Sequence, residues 1–325
     1  MPIFARVLVA GIAALLSMTA VAAAQGYPNR PIKWIVSFPP GGSTDVVARA
    51  MLPSLEKRLG QPVVIENRGG AGGNLGTDAV AKSAPDGYTI GFSAAGSLTV
   101  NPSLIEKMPY NVEKDLIPIT LVGTSPFILI ASPKFEPKTL ADVIALAKAK
   151  PGELSIGHGG NGTAMHLTAA LLNQMGGITT TLVPYRGSGP TTADVVAGHI
   201  PLGITDGPSA MGQIKGGAVR PLAVSSLKRE SSLPDVPTFD ELGLKGYLSI
   251  GWYGVLAPAG TPPDIVKKLN EVFVETLKEP EVAARIRSVG AEPSPMTPSQ
   301  FDAFIKAETK KWADVIKKAG IKASN

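Results

Sequence analysis

Short apolar runs alternate with amphipathic stretches along most of this chain. Ile32–Phe38, Val63–Glu66 and Thr89–Ser93 read as buried strands, and segments 46–59 and 75–83 between them carry helical spacing. A looser region runs to Leu116. The alternation then resumes with Phe127–Ala131, a helix Leu140–Lys148, Leu154–His158, a helix 164–175, Thr181–Pro184, a helix 190–197 and Ile200–Thr205. Strands and helices in this order predict an α/β protein with largely parallel sheets. Pro53 falls inside the first helix and should kink it or be absorbed near its middle turn.

The last third has a different pattern. Three helices, Pro263–Lys278, Pro280–Val289 and Pro298–Ala319, each open at a proline or a Thr-Pro pair, the residue favoured in a first turn. Between Leu222–Ser225 and the strand Ile250–Ala257 lies a loop from Arg229 to Gly243. One topology fits: the chain leaves a first lobe near 123–127, builds a second, and returns near 247–252. The expected lobes are 25–124 with 249–325, and 125–248. Two crossovers between α/β lobes leave a cleft where strand ends converge, a usual place for a ligand.

The N-terminus adds a destination. Arg6 is the only charge before residue 30, and Val7 to Ala24 is an Ala-rich apolar run ending in an Ala22-x-Ala24 site before Gln25. Residues 1–24 therefore read as a cleaved secretory signal. The alternative is a retained anchor, which needs about 20 apolar residues and usually stronger flanks. The chain has no cysteine, which excludes a lipoprotein anchor and disulfide staples and suits a bacterial periplasm. The net charge of +5 falls to +4 once Arg6 is removed. Its excess sits on lysines near the C-terminus (Lys306, Lys310, Lys311, Lys317, Lys318) without interleaved aromatics. That is a solvated helix face rather than a nucleic-acid patch.

Candidate chemistry lies in four loops between strand and helix. In Phe38-Pro39-Pro40-Gly41-Gly42-Ser43-Thr44-Asp45, prolines stiffen the strand exit and glycines bare the backbone. The Ser-Thr-Asp run offers N-cap chemistry for a helix starting at Val46. Amides at such a helix start suit an anion. The second run, Asn67 to Gly76, resembles a dinucleotide loop but lacks the required spacing: from Gly70 the sixth position is Leu75, and from Gly69 the third is Ala71. It reads either as a plain turn or as further exposed amides facing the first loop. In the third, Gly157 to Thr163, Thr163 caps a helix, touches ligand, or does both. In the fourth, Val183 to Pro190, Arg186 pairs with a carboxylate or simply faces solvent. Asp206 meets a ligand or a water, or caps a turn at Pro208.

Catalytic parts are missing. No Gly-x-Ser-x-Gly elbow or Ser/His/Asp pattern occurs. His158 ends a strand, where it contacts ligand or packs in its loop. His166 lies within a helix as a structural residue, and His199 is a surface residue. Their spacing is not that of metal ligands, so neither metal nor cofactor is expected. Loops rich in Gly, Ser, Thr and Asn supply hydrogen bonds without reactivity. At ~1.5–3 kcal/mol for each charge-assisted bond, four or five suffice for micromolar binding.

Taken in order, these loops resemble the Bug family, the TctC-like substrate-binding proteins of tripartite tricarboxylate transporters. The resemblance covers essentially the whole mature chain. It rests on Phe38-Pro39-Pro40-Gly41-Gly42 with Asp45, Asn67-Arg68 with Gly70 to Gly73, Pro85-Asp86-Gly87-Tyr88-Thr89, Asn101-Pro102 and Pro109-Tyr110 with Asp115-Leu116. It continues through Gly160 to Thr163 with His166-Leu167, Val183-Pro184-Tyr185 with Gly187, Pro234 to Thr238 and Ala257 to Pro262. It implies a two-lobe periplasmic binding protein of the type II, Venus-flytrap class, holding a small carboxylate between its lobes. The nominated residues are Phe38, Gly41, Gly42 and Asp45 at the carboxylate end. Ala71, Gly72 and Gly73 form one wall, with Ser93 at a strand end and Asn161, Thr163 and Asp206 opposite. His158 stands where the family more often has a small residue. Ala170 and Asn173 replace a more polar stretch, and Pro53 is atypical.

The expected role is capture of a dicarboxylate, tricarboxylate, amino acid or aromatic acid by a monomer that delivers it to membrane transporter subunits. A ligand sensor of the same fold feeding a signalling receptor is the alternative, and an exported enzyme is a third reading.

Overall fold

The computed structural model describes residues 26–319. The leader expected over residues 1–24 lies outside them. Strand β1 (Ile32–Val36) is flanked by parallel β2 (Val63–Asn67) and β3 (Thr89–Ala94). Side chains alternate across β1 with the two-residue period of a strand. Trp34 and Val36 enter one core with Val47, Met51 and Leu55 of helix α1 (Ser43–Leu59). Ile35 enters the opposite core, with Val80 of α2 (Asn74–Ala81). Burial on both faces accounts for the nearly continuous apolar reading of this strand.

The two lobes are joined through one long strand. Strand β4 runs sixteen residues, Leu116–Ala131. Lobe two adds β5 (Ser155–His158), β6 (Thr181–Pro184), β7 (Leu202–Asp206) and β8 (Arg220–Val224). The return strand β9 (Ile250–Pro258) lies antiparallel between β3 and β4, pairing with β4 from Leu116 to Pro126. From Phe127 onward β4 pairs instead with β7 and β8. The partner of β4 thus changes at Pro126/Phe127. The described strands form the order β2-β1-β3-β9-β4-β7-β5-β6, with β10 (Glu292–Pro293) and β8 also on β4.

Helices α3 (Leu140–Ala149), α4 (Ala164–Gly176), α5 (Ser188–Ala197) and α6 (Gly207–Lys215) belong to the second lobe. Helices α7 (Pro263–Lys278), α8 (Pro280–Ser288) and α9 (Pro298–Ala319) return to the first. Leu269 and Phe273 of α7 join the Trp34 core, while Phe301 and Ile305 of α9 join the other.

Several expectations change. Residues 117–126, over which no element is read from the sequence, are strand, because register shifts between Pro118 and Thr120 and between Leu121 and Gly123 absorb residues that otherwise interrupt pairing. Residues 207–215 are a helix rather than a turn, with Pro208 in its first turn, where a missing N–H costs nothing. Helix α1 begins at Ser43, three residues early, and continues through Pro53.

Candidate functional site

The four Gly-rich loops converge where the lobes meet. A Cβ on Gly72 would stand 2.8 Å from the Asn161 carbonyl oxygen, and one on Gly96 would stand 2.9 Å from that of Gly162. The Phe38 ring lies between the backbones of two loops, with a Cβ on Gly73 3.1 Å from its edge and one on Gly187 3.3 Å away. The two sides of the cleft thus meet at backbone distance at these points.

Two connected spaces remain. An inner chamber of about 30 Å³ includes Ser43, Thr163, Ser188, Asp206 and Tyr253 in its lining. An outer chamber of about 280 Å³ is bounded by Ala71–Gly73, Asn161, Tyr185 and Arg186. Phe38 and Gly159 line both, so the two are parts of one cleft.

The first loop is braced from within. Asp45, expected as a cap for a helix beginning at Val46, sits inside α1, and its carboxylate accepts the Gly41 amide at 2.9 Å. It also accepts Asn67 Nδ2 and Arg49 Nε, each at 3.0 Å. Burial raises its pKa, but the Arg49, Gly41 and Asn67 hydrogen bonds outweigh this and hold it below the usual carboxylate range. The Gly42 amide donates to the Pro39 carbonyl at 3.2 Å. That of Ser43 donates to the Ser188 hydroxyl of the other lobe at 3.4 Å. Three amides that the bare sequence offers to an anion are therefore occupied.

The second loop is the more open one. Ala71 has φ +48°, the one positive value outside glycine among the described residues, and Gly72 and Gly73 follow at +64° and +96°. Left-handed backbone costs a non-glycine residue roughly 1–2 kcal/mol. The amides of Ala71 and Gly72 make no hydrogen bond among the described residues. Successive amides turned outward in this way form a concavity suited to an anion.

The histidines shape the third loop. His158 is fully buried and stacks on His166, ring centroids 4.7 Å apart. Its Nδ1 accepts the Gly160 amide at 3.3 Å, and His166 Nδ1 accepts that of Gly162 at 3.4 Å. Burial, with the neighbouring His166 second, pushes the His158 pKa down to about 3. Thr163 caps α4, accepting the His166 amide at 3.2 Å and donating to the Gly160 carbonyl at 2.7 Å.

Asp206 caps α6, accepting the Ser209 amide at 3.2 Å. Burial raises its pKa against the opposing pull of the Ser43 and Ser209 hydroxyls. The Ser209 and Ser188 hydroxyls are bonded at 2.6 Å, which continues the network to the Ser43 amide.

Of the residues nominated from the sequence, Phe38, Thr163 and Asp206 line the inner chamber. Phe38, Ala71, Gly72, Gly73, Asn161 and Arg186 line the outer one. Gly41, Gly42, Asp45, Ser93 and His158 line neither. Ser93 is buried in a hydroxyl cluster with Ser37 and Thr77, at 2.8 and 2.9 Å. Sequence reasoning passed over Ser188, Gly159 and Tyr253. The first two stand in recognised loops; Tyr253 sits in β9, where its alternation reads as ordinary core.

The model of the tripartite tricarboxylate transporter family receptor matches residues 47–321. The chain belongs to this family. BugT of Bordetella pertussis is 42% identical over 314 residues, covering 96% of this chain and 94% of its own. The structure of the periplasmic binding protein BugD superposes with a TM-score of 0.88 at 36% identity, over 92% of this chain and all of its own (100%). MatC from Rhodopseudomonas palustris, with bound malate, has a TM-score of 0.84 at 33% identity, over 89% and 100% of the two chains. The receptor's α/β architecture is thus that of a two-lobe periplasmic binding protein, and the relatives are binding proteins rather than enzymes.

Proposed function

We propose that this receptor captures a small carboxylate between its lobes in the periplasm and delivers it to membrane transporter subunits. The observation that carries the reading is the outer chamber. It combines two open amides, at Ala71 and Gly72, with Arg186 on the facing lobe, around a space of about 280 Å³. Amides in an anion-binding turn and a guanidinium are a complementary pair for a carboxylate. The rest of the ligand extends past Phe38 toward the inner chamber. The Gly41 and Gly42 amides act indirectly, keeping the first loop in shape. His158 does so too, from behind the third loop.

The lobes are 25–124 with 249–325, and 125–248, hinged at the strand crossings near Pro126 and Ser249. A ligand touching both lobes favours the closed arrangement because only that arrangement makes both sets of contacts. The bound malate of MatC, a relative of the same fold, supports a carboxylate ligand here. Family membership supports delivery to a transporter, with the chain acting as a monomer. Residues 1–24 are the leader that takes it to the periplasm.

A thermal-shift panel of mono-, di- and tricarboxylates, amino acids and aromatic acids tests the reading on protein unfolded and refolded to remove carried-over ligand. At least one acid should raise the melting temperature in a concentration-dependent way, as binding linkage requires. No shift with any acid would refute it.

A further inference from the structure

Helix α9 makes contacts that ligand capture in the cleft leaves unexplained. Its first turns seat on β9, where Phe301 and Phe304 pack edge-on against Trp252 at ring centroids 5.8 and 5.2 Å away. Its last turns reach the other lobe. Trp312 and Ile316 form a small buried cluster with Val100 and with Leu167 of α4, and Leu104 packs at its side. On the lobe division given above, Leu167 is the cluster's one residue from the second lobe. It is only 3% exposed. Ala169 and Leu172, further along α4, join the main core instead. The burial of Leu167 in this cluster therefore depends on the lobes staying together.

The cluster is anchored by Glu308. Its Oε2 accepts the Trp312 indole N–H at 3.3 Å and the Trp252 indole N–H at 3.4 Å. Its Oε1 accepts from the Lys311 ammonium, which lies 5.0 Å from the Trp312 ring centroid. Hydrogen bonds to an ionised acceptor are the stronger kind. Trp252 in turn lines the inner chamber. One carboxylate thus joins a wall of the cleft to the helix that crosses to the second lobe. Leu167, Glu308, Trp312 and Ile316 line neither chamber, so their contacts are separate from those a ligand would make.

Apolar side chains buried between two bodies favour association whether or not a ligand is present. We propose that the last turns of α9 are a strap fastening the two lobes outside the cleft, with Glu308 as its positioning residue. The cleft opens only when this strap comes away from Leu167. Association of the lobes is then partly a property of the chain itself, to which a bound ligand adds.

Hydrogen exchange and small-angle scattering test this on ligand-free receptor, stripped by unfolding and refolding. In wild type the amides of residues 310–317 should be protected. Leu167→Ala removes the second-lobe side of the cluster and leaves the seat of α9 on β9 intact. It should speed exchange at 310–317 at least about tenfold, the order expected when an opening equilibrium loses a buried leucine. It should also raise the radius of gyration. Ile316→Ala should do the same from the α9 side, and it decides the matter if Leu167→Ala does not fold. Glu308→Ala should loosen the strap likewise, whereas Glu308→Gln, which keeps an acceptor for both indoles, should stay close to wild type. Unprotected amides at 310–317 in wild type overturn the proposal, as does exchange unchanged by the variants. Faster exchange with an unchanged radius of gyration also overturns it, because the cluster would then be local packing. None of these results bears on the carboxylate reading, since no ligand is present.

Discussion

Gly96 of the first lobe rests against the Gly162 carbonyl of the second, so near that a Cβ would stand 2.9 Å from the oxygen and 3.0 Å from Thr163 Cα. Both obstacles are backbone, which cannot swing aside. Gly96 has no positive φ, so alanine is not strained there by its own conformation. Gly96→Ala should therefore hold the lobes apart without unfolding either. Ligand affinity should fall about tenfold or more, about 1.4 kcal/mol. The ligand-free melting temperature should move no more than about 2–4 °C, the shift that ~1 kcal/mol gives in a chain of this size class. Unchanged affinity in calorimetry would mean that closure does not bring these residues together.

Asp45 makes a different prediction because it braces a loop rather than lining a chamber. Its folded pKa is lowered by Arg49, Gly41 and Asn67, so it contributes stability above its unfolded pKa and loses it as pH falls through the folded value. Asp45→Ala should cost about 1–3 kcal/mol at pH 7, from a lost helix-start bond and unpaired neighbours. Urea titrations at pH 7 and pH 3 should find the difference from wild type smaller in acid. A constant difference would contradict the ionic bracing.

His158 likewise favours its deprotonated form in the folded state, which for a histidine is the neutral one. With its pKa pushed down to about 3, the folded state holds the ring neutral while the unfolded chain takes up a proton below its ordinary value of 6.5. Stability from this group is complete above about pH 6.5 and declines toward pH 3, by up to about 1.4 kcal/mol per pH unit. His158→Gln should lower stability at pH 7 yet flatten this acid slope. Denaturation midpoints at pH 7, 6 and 5 measure it, and parallel slopes would count against a neutral buried ring.

Export yields a chemical prediction. If the leader ends at Ala24, mature protein recovered from the periplasm begins at Gln25. N-terminal sequencing or intact mass decides, and retention of Arg6 would point to an uncleaved anchor.

Much of this architecture was legible because its signals are local. Strand–helix alternation and glycines between them need no distant information, so all four loops stand out. What stayed hidden depends on partners remote in sequence. The stretch 117–126 carries no readable element because Pro118, Gly123 and Pro126 interrupt it, yet β9 on one side carries it as strand. Helix α6 begins Gly207-Pro208, a turn signal, and Asp206 caps it. The occupied amides of Gly41 and Gly42 were invisible for the same reason as Tyr253. Whether an amide is free, or an aromatic faces a cleft, depends on what folds against it.

A carboxylate should lie in the cleft between the lobes. Native mass spectrometry of gently purified receptor, with the released ligand identified after denaturation, tests this most directly. Wild type should release one small organic acid per chain, and Gly96→Ala should lose it. A released molecule without a carboxyl group, or one retained equally by Gly96→Ala, would contradict it.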